Sequence, residues 1–104
     1  MFTIRSRKAF KSLTKRHTQY GHEVPFTELE FSSKITQAVI AGMCPYCLGP
    51  LTWDNFSPDH MNPLQSGGSP ELSNIEIVCT QCNREKSWHP NWYPKQMRSE
   101  TVEQ

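Results

Sequence analysis

Two Cys-x-x-Cys sequences, Cys44-Pro-Tyr-Cys47 and Cys79-Thr-Gln-Cys82, constrain this chain more than anything else in it. A two-residue spacer lets one turn point both sulfurs the same way, and two such turns supply the four soft, anionic donors of a tetrahedral zinc site. Zinc is therefore the expected cofactor at Cys44, Cys47, Cys79 and Cys82. A thiol-disulfide redox pair or free structural cysteines are the competing reading. With four sulfurs bound, the ion has no position left for a substrate, so this site is expected to staple the fold rather than react.

The rest of the composition explains why a staple is useful. The chain has 104 residues, 36% of them hydrophobic, with eight prolines and five glycines. A single core of that size stabilises weakly, and metals commonly make up the difference in small domains. No stretch approaches the roughly 20 apolar residues of a membrane span, and the amino terminus has no apolar signal segment. The expectation is a reducing, cytosol-like compartment without membrane contact, where metal binding is favoured over disulfides.

The formal net charge of +1 conceals an asymmetry. Residues 1–22 carry Arg5, Arg7, Lys8, Lys11, Lys15 and Arg16 and no acid, whereas the remainder holds five basic and ten acidic residues. Such a basic arm on a mildly acidic body suits phosphate contact, and equally a solvated helix face. The division expected is a basic arm or helix over residues 1–25 and one domain over residues 26–104.

Residues 5–17 can form a basic helix with Phe10 and Leu13 as a thin apolar stripe, broken by Gly21 and Pro25. A second helix is expected after Thr27, with Glu30 completing a capping box. Phe31, Ile35, Ala38 and Val39 then share one face, and Gly42 stops it. From Met43 onward short apolar runs alternate with turns. A strand is expected within residues 55–61 despite Pro58, a loop over 63–70, a second strand over 75–78, and a short helix from Thr80 to Ser87.

The 31 residues from Leu48 to Val78 exceed the roughly 15 to 20 that separate the pairs of a simple zinc ribbon. This insert holds Asp59-His60, Pro63, Gly67-Gly68 and Asn74, and Asn83 and Lys86 follow the last cysteine. In that order and spacing, residues 44–86 resemble the HNH, or ββα-metal, endonuclease family in its four-cysteine version, with Asn83 in place of the final histidine. The resemblance implies an α+β fold: a small hairpin-helix module stapled by zinc and preceded by one or two helices.

The activity it implies is hydrolysis of DNA phosphodiesters with water as nucleophile, leaving a 5′ phosphate and a 3′ hydroxyl. His60 is the implied general base, as a neutral imidazole can be near physiological pH. Asp59 and Asn83 are the implied ligands of one exchangeable magnesium or manganese ion, since oxygen donors suit hard cations. Asn74 is the implied clamp that bridges the loop backbone and orients His60. Lys86 and Arg84, with the arginines and lysines of the amino-terminal arm, are the residues expected to touch phosphate.

His17, His22 and His89 match nothing in the motif and are read as non-catalytic. Trp88, Trp92 and Tyr93 are read as packing aromatics, with base stacking as the alternative, and residues from Arg98 as a polar tail. DNA is the expected partner, with a homodimer or a larger phage or mobile-element machinery as settings, in a bacterial or phage-infected cytoplasm. Two other classes compete: a zinc-stapled nucleic-acid-binding module without catalysis, and a thiolate-metal electron carrier, which has no use for Asp59, His60, Asn74 and Asn83.

Overall fold

A computed structural model describes residues 3–88 of the chain. Five elements follow one another: α1 (Ile4–Gln19), α2 (Glu28–Ala41), β1 (Phe56–His60), β2 (Ile75–Cys79) and α3 (Thr80–Trp88). Short 3₁₀ turns at Leu64–Ser66 and Leu72–Asn74 punctuate the loop between the strands. This is the expected α+β arrangement. The side chain of Trp88, together with His89, Trp92, Tyr93 and the segment from Arg98, lies outside the described residues.

Both leading helices begin as capping physics dictates. Thr27 accepts the Glu30 amide while the Glu30 carboxylate accepts the Thr27 amide, so two otherwise orphaned N–H groups are satisfied reciprocally. Thr3 and Ser6 make the same reciprocal box at the start of α1. Gly42 ends α2 in the left-handed conformation, with φ 76°, which a residue without Cβ adopts at no steric cost.

The strands pair antiparallel, with Phe56 opposite Cys79, Asp59 opposite Glu76 and His60 opposite Ile75. Side chains alternate along a strand, so this register sorts the sheet into two faces. Phe56, Pro58, His60, Ile75, Ile77 and Cys79 share one; Ser57, Asp59, Glu76 and Val78 share the other. Pro58 is tolerated because a two-stranded sheet consists of edges only.

The first face meets the core that α1 and α2 provide. Phe31, Ile35, Ile75 and Ile77 are buried in one cluster that also includes Leu13, Phe26, Leu51 and Phe56. Each such side chain contributes about 1.5–3 kcal/mol by leaving water. The basic amino-terminal segment is therefore no loose arm: Leu13 of α1 belongs to the same core as β2, and Arg5 lies over the Phe56 ring at 5.2 Å. The opposite face of the sheet carries α3. Consequently Asp59 and His60, neighbours in sequence, address different helices.

Among the described residues, no helix is long and apolar enough to cross a membrane.

Candidate active site

The four cysteine sulfurs converge to within 4.8 Å of one another. Cys44 and Cys82 are 3.9 Å apart and Cys47 and Cys79 3.8 Å, close to the roughly 3.8 Å edge of a tetrahedron with zinc–sulfur bonds of about 2.3 Å. The donor set thus fits zinc. Backbone amides support the charge: Cys79 N–H donates to Cys44 Sγ, Gly49 N–H to Cys47 Sγ and Cys82 N–H to Cys79 Sγ. Burial alone would push the Cys44 thiol up, but amide donors around it outweigh burial and hold it below the ordinary thiol value. Burial pushes Cys79 and Cys82 up, and the sulfurs of Cys44 and Cys47 add to this at both. A divalent cation removes that penalty by binding the thiolates directly.

These turns also aim the oxygen-bearing residues. Tyr46, inside the first cysteine turn, is buried and donates its hydroxyl proton to Asp59 Oδ2 at 2.8 Å. Burial, followed by the bond to Asp59, keeps the tyrosine firmly protonated. Asn83 follows Cys82 directly, and its Nδ2 is assigned as donor to the Ser57 hydroxyl at 2.6 Å. Ser57 and Asp59 lie two apart on one face of β1, while Asn83 and Lys86 lie three apart on one face of α3. The strand and the helix run side by side there.

Lys86 makes an ion pair with Asp59. Its ammonium donates to Asp59 Oδ2 at 2.7 Å and to the carbonyls of His60 and Met61 at 2.8 and 3.1 Å. All three ammonium hydrogens are thereby used inside the protein. Asp59 is 9% exposed and faces Glu76 across the ladder, so a cationic neighbour offsets both burial and repulsion. Both bonds fall on Oδ2, and Oδ1 has no hydrogen bond among the described residues.

Asn74 ties off the loop between the strands. Its Oδ1 accepts the Asn62 amide at 3.0 Å, and its Nδ2 donates to the carbonyls of Asn62 and Ser69 at 2.9 and 2.8 Å. Its main-chain carbonyl accepts from Met61. The clamp therefore lands one and two residues after His60, on backbone rather than on the ring. Gly68 packs against the same stretch, where a Cβ would collide with the Asn62 carbonyl and stand 2.8 Å from the Pro63 oxygen.

His60 faces the other way, toward α1. His17, on the last turn of α1, is fully buried and its Nε2 lies 2.9 Å from His60 Nε2. Burial pushes His60 down to about 4, and the positive charges of His17 and Arg16 act in the same direction. Burial also lowers His17. His60 is therefore a neutral imidazole across the neutral range. Sequence reasoning missed His17 because it lies outside the motif. The signal available was a polar residue four positions after Leu13, on the buried face of a helix.

The remaining basic residues divide by face. Arg5 donates to the Phe56 carbonyl at 3.3 Å and helps dock α1 on β1. Lys8, Lys11 and Lys15, at i, i+3 and i+7, are exposed together on the outer face of α1; Arg7 and Arg16 are exposed on its flanks, and Arg84 on α3.

A short antiparallel hairpin followed by a helix, with a four-sulfur cluster at its base and Asp-His at the end of the first strand, defines a ββα-metal module. Residues 44–88 match the family model of the HNH endonucleases, a span that includes all four cysteines, β1, β2 and α3. This segment is like an HNH module of the four-cysteine kind, a likeness that supports a nuclease-type function. No curated protein matches the chain.

Proposed function

We propose that the chain is an endonuclease that hydrolyses DNA phosphodiesters, with Asp59 and Asn83 holding one magnesium or manganese ion and His60 acting as general base. One observation carries this reading: β1 and α3 bring a carboxylate and an amide to the same side of the hairpin, and the residue that follows the carboxylate is an imidazole on the opposite face of β1. Tyr46 and Lys86 hold Asp59 by a single oxygen, and Ser57 holds Asn83 by its nitrogen. Asp59 Oδ1 and Asn83 Oδ1 are the atoms left to face a cation, and hard oxygen donors select magnesium or manganese over a thiophilic metal. When bound, such an ion supplies charge stabilisation at the scissile phosphate and at the departing 3′ oxygen.

The chain's own residues do the rest. His60 takes the proton of the attacking water, which its depressed proton affinity permits because the ring is unprotonated when substrate arrives. Asn74 fixes the backbone that follows His60, and the cysteine turns fix Tyr46 and Asn83. Lys8, Lys11 and Lys15 supply sequence-independent attraction to the DNA backbone, with Arg7, Arg16 and Arg84 flanking them. The zinc site binds no substrate and serves as scaffold. A chain with a single such site cuts one strand at a time, so a double-strand break requires a second copy or a second event.

Supercoiled plasmid with added magnesium or manganese tests the proposal. Wild type is expected to nick it, while His60→Ala retains zinc and melting temperature and loses cleavage. Equal nicking by both would remove His60 from the base role. DNA binding without nicking by wild type would favour the non-catalytic module.

A further inference from the structure

We infer that α1 guides the DNA strand that is cut: Lys8, Lys11 and Lys15 grip successive phosphates of one backbone, and Arg16 binds the phosphate beside the one attacked. The part of Arg16 in the reaction rests on the nuclease reading, whereas the grip on the backbone does not need it.

Two contacts fix how α1 lies. Arg5 donates to the Phe56 carbonyl and stands over the Phe56 ring at the start of β1, and His17 Nε2 lies 2.9 Å from His60 Nε2 at its end. From Arg5 to His17 the helix rises about 18 Å, and from Phe56 to His60 the strand rises about 13 Å. The helix therefore runs beside β1 in the same direction. Arg16 follows Arg5 by three helical turns and about 20°, so both stand on the flank of α1 that faces β1. Arg5 meets the start of the strand, and Arg16 stands level with His60, whose ring its charge reaches.

The outward face of α1 continues this line. Lys8, Lys11 and Lys15 lie opposite the buried Ser6, Leu13 and His17, with the uncharged Ser12 and Gln19 among them. No acid occurs anywhere in the helix, and Lys8, Lys11, Lys15 and Arg16 are exposed without an ion pair among the described residues. Elsewhere the cations are committed or offset. Lys34 donates to the Leu72 carbonyl at 3.0 Å, Lys86 is used on Asp59 and two carbonyls, and Arg84 shares its helix with Glu85. The rise from Lys8 to Lys15 is about 10 Å, which is the axial length of about three nucleotides of one strand. Three ammoniums along one face thus match one backbone. The lysines suit that role as point charges on flexible stems, whereas the cation at the reacting end is an arginine. Its planar fork can hold one phosphate by two bonds and so fix its orientation.

A duplex of about 20 base pairs, added to the zinc-loaded full chain without magnesium or manganese, tests the surface apart from cleavage. Amide signals of residues 8–19 and of His60 should shift, while those of Gln37 and Ile40 on the outer side of α2 stay in place. Shifts centred on Arg84 with α1 silent, or no binding, would overturn the guide. The Arg16 side-chain Nε–H signal, assigned by its loss in Arg16→Gln, should also move; a fixed signal would take Arg16 off the phosphate. Replacing Lys8, Lys11 and Lys15 together by Gln should lower the slope of log affinity against log salt by about 2 to 3 and raise KM for plasmid with kcat kept. An unchanged slope would remove the lysines from the interface. Arg16→Gln should instead lower kcat roughly 10- to 100-fold with melting temperature and zinc content unchanged, and Arg16→Lys should recover part of the loss. A change in KM alone would leave Arg16 as one more gripping residue and sink its place beside the cut. A wild type that binds as described and cuts nothing would sink the nuclease reading, while the spectra and salt slopes still decide the gripping surface.

Discussion

The sulfur cluster and the Asp59–Asn83 pair are joined through Tyr46, inside the Cys44–Cys47 turn and bonded to Asp59 of β1, and through Asn83, which follows Cys82, yet they differ in what they leave unused. At the cluster every donor is turned inward and amides back the sulfurs, and four sulfurs complete a coordination sphere. At the oxygen pair each group is held by one atom only, Asp59 through Oδ2 and Asn83 through Nδ2, so that one oxygen of each stays available. A closed site is suited to holding a fold together, and an incomplete one leaves room for a ligand. Tyr46 and Asn83 make the two sites interdependent, because each is part of or adjacent to a cysteine turn.

Several substitutions would break or sharpen that contrast, and the largest effect should come from the closed side. Cys79→Ser, or removal of zinc by a chelator, should unfold the chain, since the binding free energy of a structural zinc, on the order of 10 kcal/mol, is folding free energy. An unchanged melting temperature with zinc absent would show that the cluster is not the staple. On the open side, His60→Ala should lower the cleavage rate about 10²- to 10⁴-fold while zinc content and melting temperature stay as they are, measured on supercoiled plasmid.

Between these extremes lie the links. Gly68→Ala should lower stability by about 1–3 kcal/mol because its Cβ meets fixed backbone; Gly67→Ala has open space and only its φ of 86° against it, about 1–2 kcal/mol. Denaturant titration of the pair would rank them, and a larger destabilisation at Gly67 would contradict the packing of Gly68 on Asn62. The smallest effect concerns the outer face of α1. Lys11→Gln and Lys15→Gln should leave stability unchanged and flatten the salt dependence of DNA affinity, by roughly 0.9 in slope for each phosphate that is no longer neutralised.

Acidity offers a further comparison. His17 and His60 both bind protons less readily in the fold than in the unfolded chain, whose histidines titrate near 6.5. The unfolded state therefore carries more protons below that value. The stability these residues contribute is complete above about pH 6.5 and declines as pH falls toward about 4. Melting temperatures taken between those limits, with zinc content followed in parallel, should decline less steeply in His60→Asn than in wild type.

What the sequence alone determined was local or strongly patterned. The cysteine spacing announced four ligands, Thr27 and Glu30 announced a helix start, and the order of Asp59, His60, Asn74 and Asn83 between the cysteine turns announced an HNH module, because each of these is a matter of residue type at short or fixed separation. Tertiary structure decided the rest. Nothing near Lys86 in the sequence says that its ammonium will sit on Asp59; the packing of α3 on β1 places it there. Nothing near His17 says that it will meet His60, 43 positions away. The two rings meet because the apolar stripe of α1 is buried against the sheet face carrying His60, which brings one imidazole onto the other.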